Sequence, residues 1–420
     1  MNVIEKILAA HCSNGSQGHV RPGMIVEIAP DLTMANDATA VLAIDVFKHK
    51  LQAENVHDPA RVVFIMDHYT PSCSIDAADT HQAMRAFARE QQLPFVYDGI
   101  GVCHQLMMER HVRPGQLIIG ADSHTCNYGA LGALSTGMGS TDVAVAWRTG
   151  RSWMKVPEAI RIEVSGAWPA GVCAKDLILR IVGDLTTSGA TYQAMVFAGP
   201  AIRALGISER MTLCNMVIEA GAKFSYIQPD DKTAAFLRAA GRPDYPVFDD
   251  DADAVYARTL TYDVGSLEPQ IACPGSVDNV HPIGAAEGIA IDEFFLGACT
   301  NGRYEDLEIA AQILRGKEVA AGSRLLVTPA SRDVLLSAMA SGVLATLIES
   351  GAMIANPGCS ACFGGTGGIL GKNEKLLTTA NRNFKGRVGS PDSEIFLASP
   401  AVVAASAITG RITDPRRILQ

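Results

Sequence analysis

Cys359 and Cys362 stand two residues apart in "NPGCSACFGG", between Pro357-Gly358 and a cluster of glycines. Thiols at that spacing can form half of a zinc site, a dithiol redox couple or part of an iron–sulfur cluster, and spacing alone does not choose. Zinc is disfavoured because there is no second CxxC and no HxxxH partner at zinc-finger spacing. A thioredoxin-like couple is disfavoured because that motif follows a strand directly and opens a helix, whereas Pro357-Gly358 precede this one. A cluster needs at least a third thiolate, and Cys299, at the end of an apolar run, is the best placed donor. Asp67-His68 and Asp122-Ser123-His124 set carboxylates beside imidazoles, the pairing that fixes a tautomer and tunes its pKa. Taken alone, each pair would also suit an Asp cap beside a core histidine. His104, in "GVCHQLMMER", lies on an amphipathic helical pattern where a structural role is the plainer reading. Arg382 and Arg387 in "NRNFKGR" carry the planar fork that grips carboxylates, although an isolated pair would suit a solvated loop.

These residues share a placement. Short apolar runs, "RVVFIM" from Arg61, "LPFVY" from Leu93, "QLIIG" from Gln116, "IDEFFLG" from Ile291, "RLLVT" from Arg324 and "LLTTA" from Leu376, predict buried strands. Helical patterns such as "THQAMRAFAREQQ" and "YEDLEIAAQILRG" lie between them, the alternation of an α/β chain with mainly parallel sheets. Ligands gather beyond the carboxyl ends of such strands. Asp67-His68, Asp98, Asp122 to His124, the run Cys299 to Arg303 and Arg382 with Arg387 all follow one directly. Such an inventory suits proton transfer on a carboxylate substrate. The glycine-rich "GALGALSTGMGSTD" and "GGTGGILGKN" fit neither phosphate-loop pattern, so close helix packing is the expectation there.

A chain of 420 residues with 48% hydrophobic residues has apolar material for two or three domains. Its net charge of −9 and lack of a Lys/Arg run argue against a nucleic-acid surface. The first residues space Ile4, Ile7 and Leu8 like one face of a short helix and offer no uninterrupted apolar stretch for a signal peptide. The most apolar run, Ile395 to Ile408, is shorter than the roughly 20 residues that span a bilayer. A cytoplasmic protein with reduced cysteines is expected, most of the ten being small core hydrophobes.

Longer motifs carry a resemblance. "GADSHTCNYGALGALSTGMGSTD", "MTLCNMVIEAGA", "FFLGACTNGRYEDL", "NPGCSACFGG" and "NRNFKGR", in order along nearly the whole chain, resemble the aconitase superfamily. The similarity is to its branch of 3-isopropylmalate dehydratase and homoaconitase large subunits. It implies three α/β domains around a central cleft, with the family's fourth, swivelling domain absent from the chain. The expected boundaries are 1–157, 158–282 and 283–420, the last carrying the cluster cysteines. The resemblance further implies a 4Fe-4S cluster held by Cys299, Cys359 and Cys362, with one iron left open as a Lewis acid.

Matched position by position, Asp67 and His68 are the family's Asp-His pair near the departing hydroxyl, and His104 helps protonate the leaving group. Asp122 and His124 belong to the triplet that pairs with such histidines, and Ser123 between them joins the substrate-binding set. Glu219 bonds the iron-bound water, with Asn215 in support. Arg382 grips a substrate carboxylate, and Asn301 and Arg387 sit near cluster and substrate. A separate small subunit is implied, supplying the swivelling domain and the serine that removes the carbon-bound proton. The implied activity is a hydro-lyase or isomerase acting on a small hydroxy di- or tricarboxylate, foremost 2- to 3-isopropylmalate conversion in leucine biosynthesis. Ser360-Ala361 between the cysteines and Cys273-Pro274 depart from compact isopropylmalate enzymes. Homoaconitase, 2,3-dimethylmalate dehydratase and methylmaleate hydratase therefore stay open. From other classes, a cluster-based iron sensor binding RNA and a CxxC redox or zinc protein stay open too.

Overall fold

The computed structural model describes residues 1–13 and 20–419. Three sheets account for nearly all its strands. The first orders Phe95–Asp98, Val62–Met66, Leu32–Asn36, Leu117–Gly120 and Leu134–Gly137, every neighbour parallel. The second orders Phe224–Ile227, Ala194–Ala198, Ala159–Ser165 and Arg258–Asp263, again all parallel. The third has seven strands, with Glu293–Leu296 at its heart between Lys375–Thr378 and Arg324–Val327. Only its flank, formed by Gln270–Ala272 and Val280–Pro282, runs antiparallel. The strand content of residues 270–282 thus hydrogen-bonds into the third sheet. An antiparallel ribbon, Ile25–Ile28 with Ser152–Lys155, lies apart.

Every residue of "VVFIM" is buried because both faces of its strand are covered. Successive side chains point oppositely. Val63 and Ile65 enter a central core, whereas Val62, Phe64 and Met66 join an outer one with Phe47, Phe87 and Trp147. Ile160 and Ile162 of the second sheet and Phe295 and Leu376 of the third face that same central core. Phe294, Leu296 and Leu377 turn outward to a separate cluster under the helices. The inner faces of all three sheets therefore pack on one apolar centre, the mainly parallel α/β architecture expected.

Helices Ile75–Glu90, Cys103–Arg110 and Tyr304–Leu314 fall on the predicted helical patterns, and Val3–Ala10 forms the short amino-terminal one. In "GALGALSTGMGSTD", Gly129 lies on the short helix Ser123–Leu131, packed against strand Phe224–Ile227, and Gly137 closes strand Leu134–Gly137. A Cβ on Gly129 would lie 2.2 Å from the backbone oxygen of Ser225, and one on Gly137 would lie 2.6 Å from that of Asp122. These glycines admit a strand and a loop. Among the described residues no helix is long and apolar enough to cross a membrane.

Candidate active site

Strand ends from the first and third sheets open onto a cavity of about 230 Å3. His68, His104 and Asp122 to His124 form one wall, Cys299, Cys359 and Cys362 another, and Arg382 and Arg387 the rim. Residues more than 300 positions apart in sequence thus face one space, as parallel strands pointing inward dictate.

His68 follows its strand directly, and its Nδ1 meets Asp67 Oδ1 at 2.7 Å. The other Asp67 oxygen accepts the Cys103 amide at 2.7 Å, so the carboxylate is fully engaged beneath the ring. Burial works against the His68 imidazolium, but Asp67 and then Asp122 and Asp37 outweigh it and raise the ring to about 9. Its Nε2 lies 3.8 Å from Asp122 Oδ2 and is free to turn to a ligand.

Asp122 is the hub. Its Oδ1 meets His104 Nε2 at 2.8 Å and accepts the His124 amide at 2.9 Å, and its Oδ2 accepts from Asn36 Nδ2 at 3.0 Å. Although burial favours the neutral acid, His104 and His124 hold this carboxyl well below its ordinary range. His104 Nδ1 is taken by the Tyr128 hydroxyl at 3.2 Å. Both its nitrogens are therefore occupied, and His68, not His104, is the histidine with a nitrogen to offer.

Glu219 extends from the one-turn segment Val217–Ala220 after helix Ile207–Met216. Its Oε1 meets His124 Nε2 and accepts from Arg382 Nε, both at 2.9 Å. Burial would raise Glu219, but His124 and Arg382 keep it lowered. Arg382 Nη2 donates to Ser123 Oγ at 2.9 Å, and two of its five N–H groups are thus spent on aiming the rest. Arg387 Nε donates to the Cys362 carbonyl at 3.0 Å, and its guanidinium lies over Phe363 and Phe384.

Around the thiols, Asn215 Nδ2 donates to Cys299 Sγ at 3.2 Å and Asn381 Nδ2 at 3.6 Å. Burial pushes Cys299 up to about 12. Cys359 donates to Cys362, which with the Arg387 charge draws Cys362 well below the usual thiol value. The sulfurs are not gathered like the ligands of one small ion. Among the described residues, the donor sets lying within 4.8 Å of one another are His104, Asp122 and His124, and Asp37, Asp67 and His68. Three buried cysteines line one cavity wall, Cys359 and Cys362 in contact and Cys299 under two amide donors, thiols of the kind an iron–sulfur centre takes.

Asn301 departs from its expected place. Its Nδ2 donates to Asp306 and Thr212, away from the cavity, while Arg303 Nη1 holds the Cys299 carbonyl at 2.7 Å. Ala298, just before Cys299, has φ 68°, and Ser360, just after Cys359, has φ 49°. Left-handed backbone at non-glycine residues stores strain that the surroundings must hold. The glycines beside the CxxC admit protein: a Cβ on Gly358 would lie 2.8 Å from Asp67 O, and one on Gly365 2.5 Å from His68 O.

The sequence reading missed Asp37. Its carboxylate is 2% exposed and accepts the amides of Asp67 (3.1 Å), His68 (2.8 Å) and Tyr69 (2.9 Å) and meets His81 Nε2 at 2.7 Å. Burial opposes its charge, yet His81, His68 and those amides bring it down to about 2. Asp37 too directly follows a strand, Leu32–Asn36.

Known proteins are similar to this chain over nearly its whole length. Residues 5–410 match the family described as aconitase (aconitate hydratase). A 3-isopropylmalate dehydratase large subunit from Methanopyrus kandleri is 48% identical, with 99% of each chain covered. A probable methanogen homoaconitase large subunit from Methanothermobacter thermautotrophicus is 46% identical over 99% of this chain and 98% of that one. Among solved structures, Thermococcus kodakaraensis aconitase X has the same fold, with a TM-score of 0.53 at 12% identity over 87% of this chain and 88% of that one. With that family model spanning nearly all of its length and relatives of almost half-identical sequence from end to end, the chain belongs to the aconitase family.

Proposed function

We propose that this chain is the large subunit of a hydro-lyase that interconverts 2- and 3-isopropylmalate by dehydration and rehydration, in the cytoplasm. The observation that carries the reading is the single cavity shared by three cysteines, the Asp67-His68 and Asp122-His104 pairs and Arg382. Relatives named as 3-isopropylmalate dehydratase large subunits, matched from end to end, support this substrate. Homoaconitase is the second reading, favoured by two relatives of that name at 46% and 48% identity.

Cys299, Cys359 and Cys362 would hold a 4Fe-4S cluster. When bound, it supplies a Lewis acid that makes hydroxide a feasible leaving group near neutral pH. The chain's own residues do the rest. Arg382, steered by Glu219 and Ser123, presents its remaining N–H groups to a substrate carboxylate, and Arg387 offers a second fork. His68, charged by Asp67, gives a proton from Nε2 to the departing oxygen; on rehydration it takes one from water. Asp122 and His104 stand behind it as a charge reserve, and Glu219 with His124 holds the ordering of the opposite wall. The carbon-bound proton is assigned to a serine of a separate small subunit, whose swivelling domain would close the cavity.

Co-expression with a small-subunit gene, followed by anaerobic assay against 2-isopropylmalate, homocitrate, 2,3-dimethylmalate and citraconate, tests the reading. Turnover of 2-isopropylmalate with the partner and none without it is expected. A reconstituted complex inert on every one of these acids, or full turnover by the chain alone, would refute it.

A further inference from the structure

Helix Ala174–Leu185 begins beneath the cysteine loops, and its second residue is a lysine that none of the chemistry above uses. Lys175 has no exposed surface. Lysine is almost never found there unpaired, because a buried ammonium loses its hydration. Its Nζ donates to the carbonyl oxygens of Thr379 at 2.8 Å and Ala380 at 2.7 Å, the residues that lead directly into Asn381 and Arg382.

No carboxylate takes up this charge among the described residues. Neighbouring Asp176 is buried as well, but its two oxygens accept the backbone amides of Cys173 and Gln270. The carbonyls that Lys175 holds lead into Asn381, whose amide touches both sulfurs: Cys362 Sγ donates to its Oδ1 at 3.5 Å and its Nδ2 donates to Cys299 Sγ at 3.6 Å. Burial pulls the ammonium down to about 8, and Cys362 is the first of the groups that push back. A neutral thiol gives no such support, whereas a thiolate, the form in which cysteine binds metal, does.

We infer that Lys175 is the buried counter-charge of the cysteine-held centre, offsetting the thiolates of Cys299 and Cys362 from beneath while it braces the backbone that presents Arg382. The inference rests on the three-cysteine reading proposed above. Two carbonyl acceptors alone would be served by any donor. The absence of an acidic partner leaves the ammonium in want of a negative charge, and that charge arrives with the metal-binding form of the cysteines. Lys175 is accordingly a positioning and charge-balancing residue, without contact to substrate.

The test uses the full chain with Lys175 intact, Lys175→Met and Lys175→Arg, each reconstituted anaerobically with iron and sulfide. Iron, sulfide and the reduction potential of the bound centre are then measured. The intact protein should take up about four irons per chain. Lys175→Met should either retain several-fold less iron and sulfide or hold a centre whose potential is shifted negative, because a nearby positive charge no longer favours the reduced form. Lys175→Arg, which keeps the charge, should load and titrate like the intact protein. Equal loading and equal potential in all three would overturn the assignment. So would equal loss of loading in both variants, since that marks a requirement for lysine's shape and not its charge. An intact protein that binds no iron and sulfide would refute the cluster reading itself, a result distinct from either.

Discussion

Asp37→Asn separates a carboxylate that fixes the site from one that merely fills space. An amide oxygen can still accept from Asp67 and His68, but the NH2 that replaces the second oxygen then confronts the Tyr69 amide, donor against donor. His81 escapes the same conflict only by donating through Nδ1 to Ser72 Oγ, 3.0 Å away. A carboxyl that falls from an ordinary 3.8 to about 2 on folding contributes about 2 kcal/mol at neutral pH. The folded value is depressed, so this stability is present above about pH 4 and disappears as the pH falls through about 2.

Unfolding entropy grows at about 2.1 cal/mol/K per residue. A deficit of about 2 kcal/mol therefore lowers Tm by about 2 °C if the whole chain melts as one unit. The fall is about 6 °C if a unit of about 150 residues around the first sheet melts separately. Calorimetry on cluster-free protein is the assay, because a bound cofactor would add its own stabilisation. In loaded enzyme the displaced Asp67-His68 pair should lower kcat by on the order of 10²-fold. A variant with unchanged Tm and full kcat would refute the assignment of Asp37 as the anchor of this strand end. Lower Tm with full kcat would restrict it to stability.

Cys299→Ser and Cys359→Ser should each cut reconstituted iron and sulfide by more than half, whereas Cys73→Ser and Cys273→Ser, outside the cavity, should not; chemical analysis of all four decides. Glu219→Gln removes the charge between His124 and Arg382 and should lower kcat/KM on the order of 10²-fold in steady-state assays of the complex. His68 is raised to about 9, so it should stabilise cluster-free protein by on the order of 3 kcal/mol below about pH 6.5. That advantage over His68→Gln should vanish as the pH rises through 9, and urea titrations from pH 6 to 9 that show a constant gap would contradict it.

Much of the site was legible because chemistry-bearing residues directly follow apolar strands. That rule found Asp67-His68, the Asp122 triplet, Cys299 and Arg382. It passed over Asp37 because "LTMAN" carries threonine and asparagine and does not stand out as an apolar run, although the strand it forms is central and wholly buried. Asn301 was misplaced by its nearness to Cys299 in sequence. In the short helical turn Ala298–Asn301 its amide is taken up by Thr212 and Asp306. Lys175 could not be found in this way, because nothing in an amphipathic pattern tells which long cation ends up enclosed. Close packing was expected at the glycine-rich stretch that holds Gly129, and no partner was expected for Gly358. Their partners, Ser225 for Gly129 and Asp67 for Gly358, lie too far along the chain for local pattern to name.

The meeting of the first and third sheets also sets a timetable. Cys73 donates to the carbonyl of Gly365, 292 residues later, and the Cys359 amide bonds to Asp67 O at 2.9 Å. At synthesis rates of about 5–20 residues per second, His68 leaves the ribosome roughly 15–60 s before Arg387 is made. Through that interval the strand end that carries His68 has no third sheet to close against. A cavity walled by both sheets is therefore complete only in the finished chain, and whatever it binds must be acquired after translation.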